Sequence, residues 1–160
     1  MTTTARRVLA DARYALIQLD QAQPGQDLRV KWVGAVALLR AIGHVLHKVD
    51  ATENEAMAEA VVDAWKRWNR EPRKNSIFWT FIDAERNNIL KEYAVGYSEG
   101  PVLVIVDEEE FELDEGLFAP LVDGPNEGQD IRDVYFNALS WWERELDLID
   151  EQARKGHGPD

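Results

Sequence analysis

Cysteine is absent, methionine occurs twice and histidine three times, and no uninterrupted apolar run approaches the roughly 20 residues a bilayer requires. Each shortage removes a class of answer. Without cysteine there is no disulfide framework, thiolate metal site or thiol nucleophile. With only His44, His47 and His157, a nucleophilic triad has little to draw on. The patterns G-x-x-x-x-G-K-[ST], G-x-G-x-x-G, G-x-S-x-G and H-E-x-x-H do not occur, so nucleotide hydrolase, dehydrogenase, esterase and zincin readings lack support. The most apolar stretch, Trp32 to Leu46, is interrupted by Arg40 and His44. The first residues, MTTTARRVLADARYAL, carry charges every few positions instead of a signal-peptide core. These features lead us to expect a soluble, cytoplasmic protein with no membrane partner and no cofactor.

What is present suits one domain over residues 1–160, since 160 residues with 45% hydrophobic content can bury a core without staples. The net charge of −12 is unevenly spread. Up to Gly96 there are 14 Lys/Arg against 12 Asp/Glu, and from Tyr97 onward 4 against 18. Such asymmetry marks candidate partner surfaces, basic in the first half and acidic in the second.

Hydrophobic periodicity predicts a mainly α fold: a bundle of about five helices with a small β-hairpin insertion before the last. Thr4 is placed to cap a first helix to about Gln21. A second, from about Asp27 to Val49, has a near-heptad seam of Leu28, Trp32, Ala35, Leu39, Ile42, Leu46 and Val49, and reads as the bundle's central helix. Thr52 with Glu55 has capping-box spacing for a third, to about Asn69, with Met57, Val61, Trp65 and Trp68 inward. A fourth runs from Asn75 or Ser76 to near Gly96. Between about residues 97 and 128 the period changes, and Val102–Val106 reads as a strand with partners among Phe111, Leu113, Phe118, Leu121 and Val122. Asp130 is placed to cap the last helix, with Ile131, Tyr135, Ala138, Trp142, Leu146 and Ile149 inward, and Gly156 to stop it before a frayed tail.

The fourth helix carries the sequence's one anomaly. At about 100° per residue, Trp79, Ile82, Arg86, Leu90 and Tyr93 share a stripe, which puts an arginine in an apolar face. An unpaired buried charge is costly, so Arg86 must have a partner or a ligand. The run Arg86-Asn87-Asn88-Ile89-Leu90-Lys91-Glu92-Tyr93 resembles the signature of HEPN domains, small helical bundles in which an arginine, often followed by asparagine, precedes a histidine by four to six residues. In the HEPN toxins paired with nucleotidyltransferase antitoxins, a tyrosine follows two residues after that histidine. Arg86, Asn87 and Tyr93 match in type and spacing, and Lys91 stands where the histidine belongs. The resemblance implies a homodimer in which two such motifs meet and act on RNA without a metal, in a toxin–antitoxin or defence setting. A lysine titrates ordinarily near 10.4, so the substitution points to RNA binding without cleavage, or to altered chemistry. On this resemblance Arg86, Asn87, Lys91 and Tyr93 are the candidate site. The alternative is structural: Arg86 pairs with Asp83 or with an acid of the last helix, and Tyr93 is a core residue.

Three further groups bear on function. Arg40, His44 and His47 lie within two turns of the second helix, and His44, His47 and Asp50 have spacing compatible with a metal, though the same histidines also suit the edge of a core. Lys66, Arg67, Arg70, Arg73 and Lys74, with Trp68 among them, form a basic patch able to contact phosphate and stack a base, or simply a solvated helix end. The acidic run Asp107–Glu110, Glu112, Asp114 and Glu115 lacks the glycine and alternating ligands of a calcium loop. It reads as a solvated hairpin tip, or as a docking surface for a basic protein partner.

Overall fold

In the computed structural model, residues 1–156 are described. Helix α1 (Thr3–Asp20) turns at Pro24-Gly25 into the antiparallel α2 (Gln26–Lys48). A short 3₁₀ turn, Asp50–Thr52, leads to α3 (Glu55–Arg70). The next helix begins near Ser76, passes through a π-helical segment at Phe78–Asp83 and continues as α4 (Ala84–Glu92). Strands β1 (Val102–Val106) and β2 (Glu109–Leu113) form an antiparallel hairpin, and α5 (Ile131–Gly156) closes the bundle. The mainly α architecture with a hairpin before the last helix is the one the periodicity predicts. The expected tail beyond Gly156, with His157, lies outside the described residues.

The second and last helices bury the faces their spacing assigns. Leu28, Trp32, Leu39, Ile42 and Leu46 of α2 are buried, as are Ile131, Tyr135, Ala138, Trp142, Leu146 and Ile149 of α5. The Tyr135 hydroxyl lies 3.0 Å from the Ala12 carbonyl oxygen and 3.1 Å from that of Ala35, which joins α1, α2 and α5 at one buried point. Where α2 crosses α5, Gly43 permits close packing: a Cβ there would lie 3.1 Å from Cη2 of Trp142, tight enough that the buried ring would have to give by a few tenths of an ångström. Trp68, Phe78, Trp141 and Trp142 pack between α3, the π segment and α5, with ring centroids 4.8–6.0 Å apart. Val49 and Trp65, expected inward, are half exposed instead. Val49 stands beyond the end of α2, and Trp65 lies at the rim of a cleft described below.

Helix starts depart from the sequence reading because their caps come from elsewhere. Thr4 does not cap α1. Its amide and that of Ala5 donate to the buried Asp50 carboxylate at 2.9 and 2.8 Å, while Thr2 donates to Asp150 from both its amide, at 2.7 Å, and its hydroxyl, at 2.9 Å. The Thr52–Glu55 capping box does not form either. The 3₁₀ turn advances the chain, the Thr52 hydroxyl donates to the Val49 carbonyl, and Asn54 accepts the Met57 amide at 2.9 Å. Helix α4 ends at Glu92, short of Gly96, with Tyr93 in a left-handed conformation (φ 51°).

The acidic run is only partly a solvated tip. Asp107 and Glu108, both at positive φ, form the two-residue turn between the strands. Glu115, by contrast, is buried and accepts the amides of Gly25, at 2.6 Å, and Gly100. That carboxylate ties the hairpin to the α1–α2 turn.

Candidate functional site

Two neighbouring positions compete for the inward face of the fourth helix, and Arg86 loses. Phe78, Phe81, Ile82, Glu85 and Ile89 are buried, whereas Leu90 is 66% and Tyr93 63% exposed. The buried stripe is thus rotated one residue from the expected one. It gathers more apolar side chains, and its single acid is compensated. The Glu85 carboxylate accepts the Trp32 indole N–H at 2.8 Å and the Gly96 amide at 2.7 Å. Burial raises its pKa despite those bonds. A Cβ at Gly96 would come within 2.3 Å of this carboxylate, so the close approach depends on glycine.

Arg86 instead lies at the half-buried junction of α2 and α4. Arg40 Nε donates to Asp83 Oδ1 at 3.1 Å, Asn87 donates from Nδ2 to Asp83 Oδ2 at 3.2 Å, and Arg86 donates to Asn87 Oδ1 at 2.9 Å. The expected Arg86–Asp83 pair is therefore replaced by a relay in which Arg40 takes the carboxylate and Asn87 carries it on to Arg86. The Arg40 guanidinium also stands 5.8 Å from the Phe78 ring centroid, which fixes it further. His44, one turn after Arg40 and exposed at the surface, is held below the ordinary histidine range, first by partial desolvation and then by the positive charges of Arg40, Arg86 and Lys48, against the attraction of Asp83. Two guanidinium groups beside a neutral imidazole can bind an oxyanion and accept a proton near it. The π segment ends at Asp83, and such departures from α geometry recur at functional sites.

Beside this cluster, α2 and α4 leave an apolar hollow of 210 Å³ lined by Val33, Val36, Ala37, Ile89 and Leu90 as well as Arg40, His44 and Arg86. On the other side of Arg40 a larger cleft of 520 Å³ opens between α2 and α3.

The remaining candidates fall in separate places. Lys91 is exposed, and in the regular helix α4 it stands about 140° around the axis from Arg86. Tyr93 is exposed at the helix terminus and is not the core residue that the structural alternative assumed. In the basic patch, Arg67 turns inward to the buried Glu145 at 2.6 Å, Lys66 is paired with Asp63 at 3.4 Å and Lys74 with Glu71 at 2.9 Å, while Arg70 and Arg73 are exposed. Asp50 is occupied in holding the start of α1, and among the described residues no three histidine or carboxylate side chains converge as metal ligands. The α2 stretch from Gln26 to Thr52 is long and apolar enough to cross a membrane by length and composition, and its seam is packed inside the bundle.

No family model, no curated protein and no solved structure matches this chain.

Proposed function

We propose that the protein is a HEPN-like, cytoplasmic RNA-binding homodimer of a toxin–antitoxin or defence system, acting through the junction of α2 and α4. The observation that carries this reading is the convergence of Arg40, His44, Asp83, Arg86 and Asn87 from two helices. In this proposal Arg86 and Arg40 hold the phosphate backbone and His44 stands in for the motif histidine that Lys91 replaces. The neighbouring face supports a dimer: Val30, Gly34 and Ala37 of α2 and Leu90 and Tyr93 of α4 are exposed, so two copies can approach closely beside the cluster.

The test is binding and cleavage of single-stranded RNA by purified protein, with EDTA present, at low and physiological salt. The expected result is salt-sensitive binding, weakened roughly tenfold by Arg86→Ala, since removing one guanidinium–phosphate pair costs on the order of 1–2 kcal/mol. EDTA-resistant cleavage that disappears in His44→Ala would add catalysis to the reading. Absence of binding by the wild type at low salt would overturn it.

A second reading, an adaptor that docks a basic partner on the acidic half, is favoured by the hairpin. Strand β1 has no strand partner on its outer edge among the described residues, and its Leu103 and Ile105 are 65% and 69% exposed opposite Glu112 and Glu110. An apolar edge strand left open invites strand addition, and the facing glutamates favour a strand in which lysine or arginine alternates with apolar residues. On this reading a protein partner co-purifies with the wild type and is absent from a Leu103→Lys/Ile105→Lys variant of unchanged thermal stability. Retention by that variant would exclude the β1 edge.

A further inference from the structure

The cleft between α2 and α3 combines apolar walls with a basic polar lining. Its walls are hydrocarbon and aromatic: Leu46, Val61, Val62, Trp65, Trp68 and Phe78. Its polar lining consists of Arg40, His44, His47 and Lys48 from α2 and Lys66 from α3, all basic, and no carboxylate, amide or hydroxyl side chain lines it. In a protein of net charge −12, a concave site lined by three cationic side chains, Arg40, Lys48 and Lys66, two imidazoles and no acid favours an anion over a cation. Asp83 and Asp63 pair with Arg40 and Lys66, at 3.1 and 3.4 Å, from outside the lining. Those pairs orient the two cations and offset part of their charge without placing a carboxylate in the cleft, and Lys48 makes no ion pair among the described residues.

The walls also indicate what the anion is attached to. At 520 Å³ the cleft lies within the range of small-molecule sites. Trp65 and Val62 remain 47% and 46% exposed, so apolar surface that the fold leaves wet is available to a ligand. A nucleobase would bring several amide and amine edges against walls whose hydrogen-bonding groups, apart from the cations, are only the His44 and His47 imidazoles and indole N–H groups, and unmet polar groups are costly to bury. A hydrocarbon or aryl body has no such groups. Trp65 offers a π face, and its ring stands 5.5–6.1 Å from those of Trp68, Phe78 and Trp79.

We propose that this cleft is a binding site for a small organic acid with an aryl or alkyl body, the body against Trp65, Val61 and Leu46 and the acid group at the Arg40, Lys48 and Lys66 rim. It is a site separate from the proposed RNA-binding junction, shares only Arg40 and His44 with it, and stands whether or not RNA binds.

The test uses 2-naphthoate as the probe, with the 2-naphthylmethylammonium cation and acetate as controls. Binding to the full chain is followed by calorimetry and by amide and indole shifts in NMR. The expected result is saturable naphthoate binding at least about tenfold tighter than that of the cation, a difference of ~1.4 kcal/mol, with acetate not binding. The largest shifts should fall at Gly43, Val62 and the Trp65 indole. Trp65→Ala, at a half-exposed position, should weaken naphthoate roughly tenfold, as loss of an aromatic wall implies. Lys48→Glu, at an exposed position, should weaken naphthoate while leaving the cation's affinity unchanged or improved. Equal affinity for anion and cation, shifts centred elsewhere, or folded variants that bind like the wild type would each overturn the proposal.

Discussion

Replacing Glu145 with alanine should lower the unfolding free energy by about 3–5 kcal/mol, which combines a lost charge-assisted hydrogen bond, a buried indole N–H left without its acceptor and the gap left behind. Glu145 is 3% exposed on α5 and serves α3 twice: its Oε2 accepts the Trp68 indole N–H at 2.7 Å and the Arg67 guanidinium at 2.6 Å. Arg144 adds a looser interaction at 3.5 Å. Alanine would leave the buried indole N–H without an acceptor and the half-buried Arg67 without its counter-charge, and would open a gap between two helices. Glu145→Gln keeps one acceptor oxygen and one rotamer, so its cost should be nearer to about 1–2 kcal/mol. Urea unfolding measures both, with the midpoint moving and the slope unchanged if the native state stays compact. A free-energy loss under about 1 kcal/mol for alanine, taken as midpoint shift times slope, would mean that water replaces the carboxylate and that the α3–α5 seam rests on its tryptophans alone. Because Trp68 also walls the cleft, the alanine variant should bind organic anions more weakly than the glutamine one.

The residues of this seam show which parts of the molecule can be read from sequence. The faces of α2 and α5 were legible because long, uninterrupted helices repeat their apolar positions many times, so one misplaced residue cannot change the phase. Val102–Val106 was legible because β-branched residues run together between turn signals. The fourth helix is shorter, and its two competing stripes share Ile82, with Arg86 on one and Glu85 on the other. What decides between them lies far away in the chain: the Trp32 indole and the Gly96 amide make a buried glutamate tolerable. The starts of α1 and α3 were misread for a related reason. Local cap patterns were present at Thr4 and Thr52, yet Asp50, Asp150 and Asn54 provide the acceptors. The candidate site was legible only in pieces. Arg40 and His44 stood out on one helix and Arg86 and Asn87 on another, and nothing in their spacing states that α2 and α4 pack side by side to join them through Asp83.

Asp150 is another of the buried carboxylates on which the fold depends, and its effect should appear in the pH dependence as well as in the midpoint. Burial works to raise its pKa, but the hydrogen bonds from Arg6 and from the amide and hydroxyl of Thr2 outweigh burial and bring it below the usual carboxylate range. A carboxyl with a lowered folded-state pKa binds fewer protons folded than unfolded, so its contribution is present above the unfolded value of about 3.9 and is lost as pH falls below that value. Glu85 acts in the opposite sense. Burial raises its pKa, the folded state holds the proton more tightly, and its contribution declines as pH rises through and above about 4.3. Stability of the wild type should therefore rise steeply from strong acid and then level off or fall. Asp150→Asn should flatten the acid limb, and Glu85→Gln should remove the decline above it. At neutral pH, Asp150→Ala should cost about 2–4 kcal/mol, combining the loss of a helix cap with that of charged hydrogen bonds. That is less than the Glu145→Ala figure because Arg6 retains a second carboxylate partner, Asp147, at 2.7 Å. Urea midpoints measured from pH 3 to 8 on the three variants separate the two carboxyls. An acid limb unchanged in Asp150→Asn would show that the Arg6–Asp150–Thr2 cluster does not hold the carboxylate ionised, and the clamp between α1 and α5 would then have to be attributed to packing around Leu9, Tyr135 and Leu146.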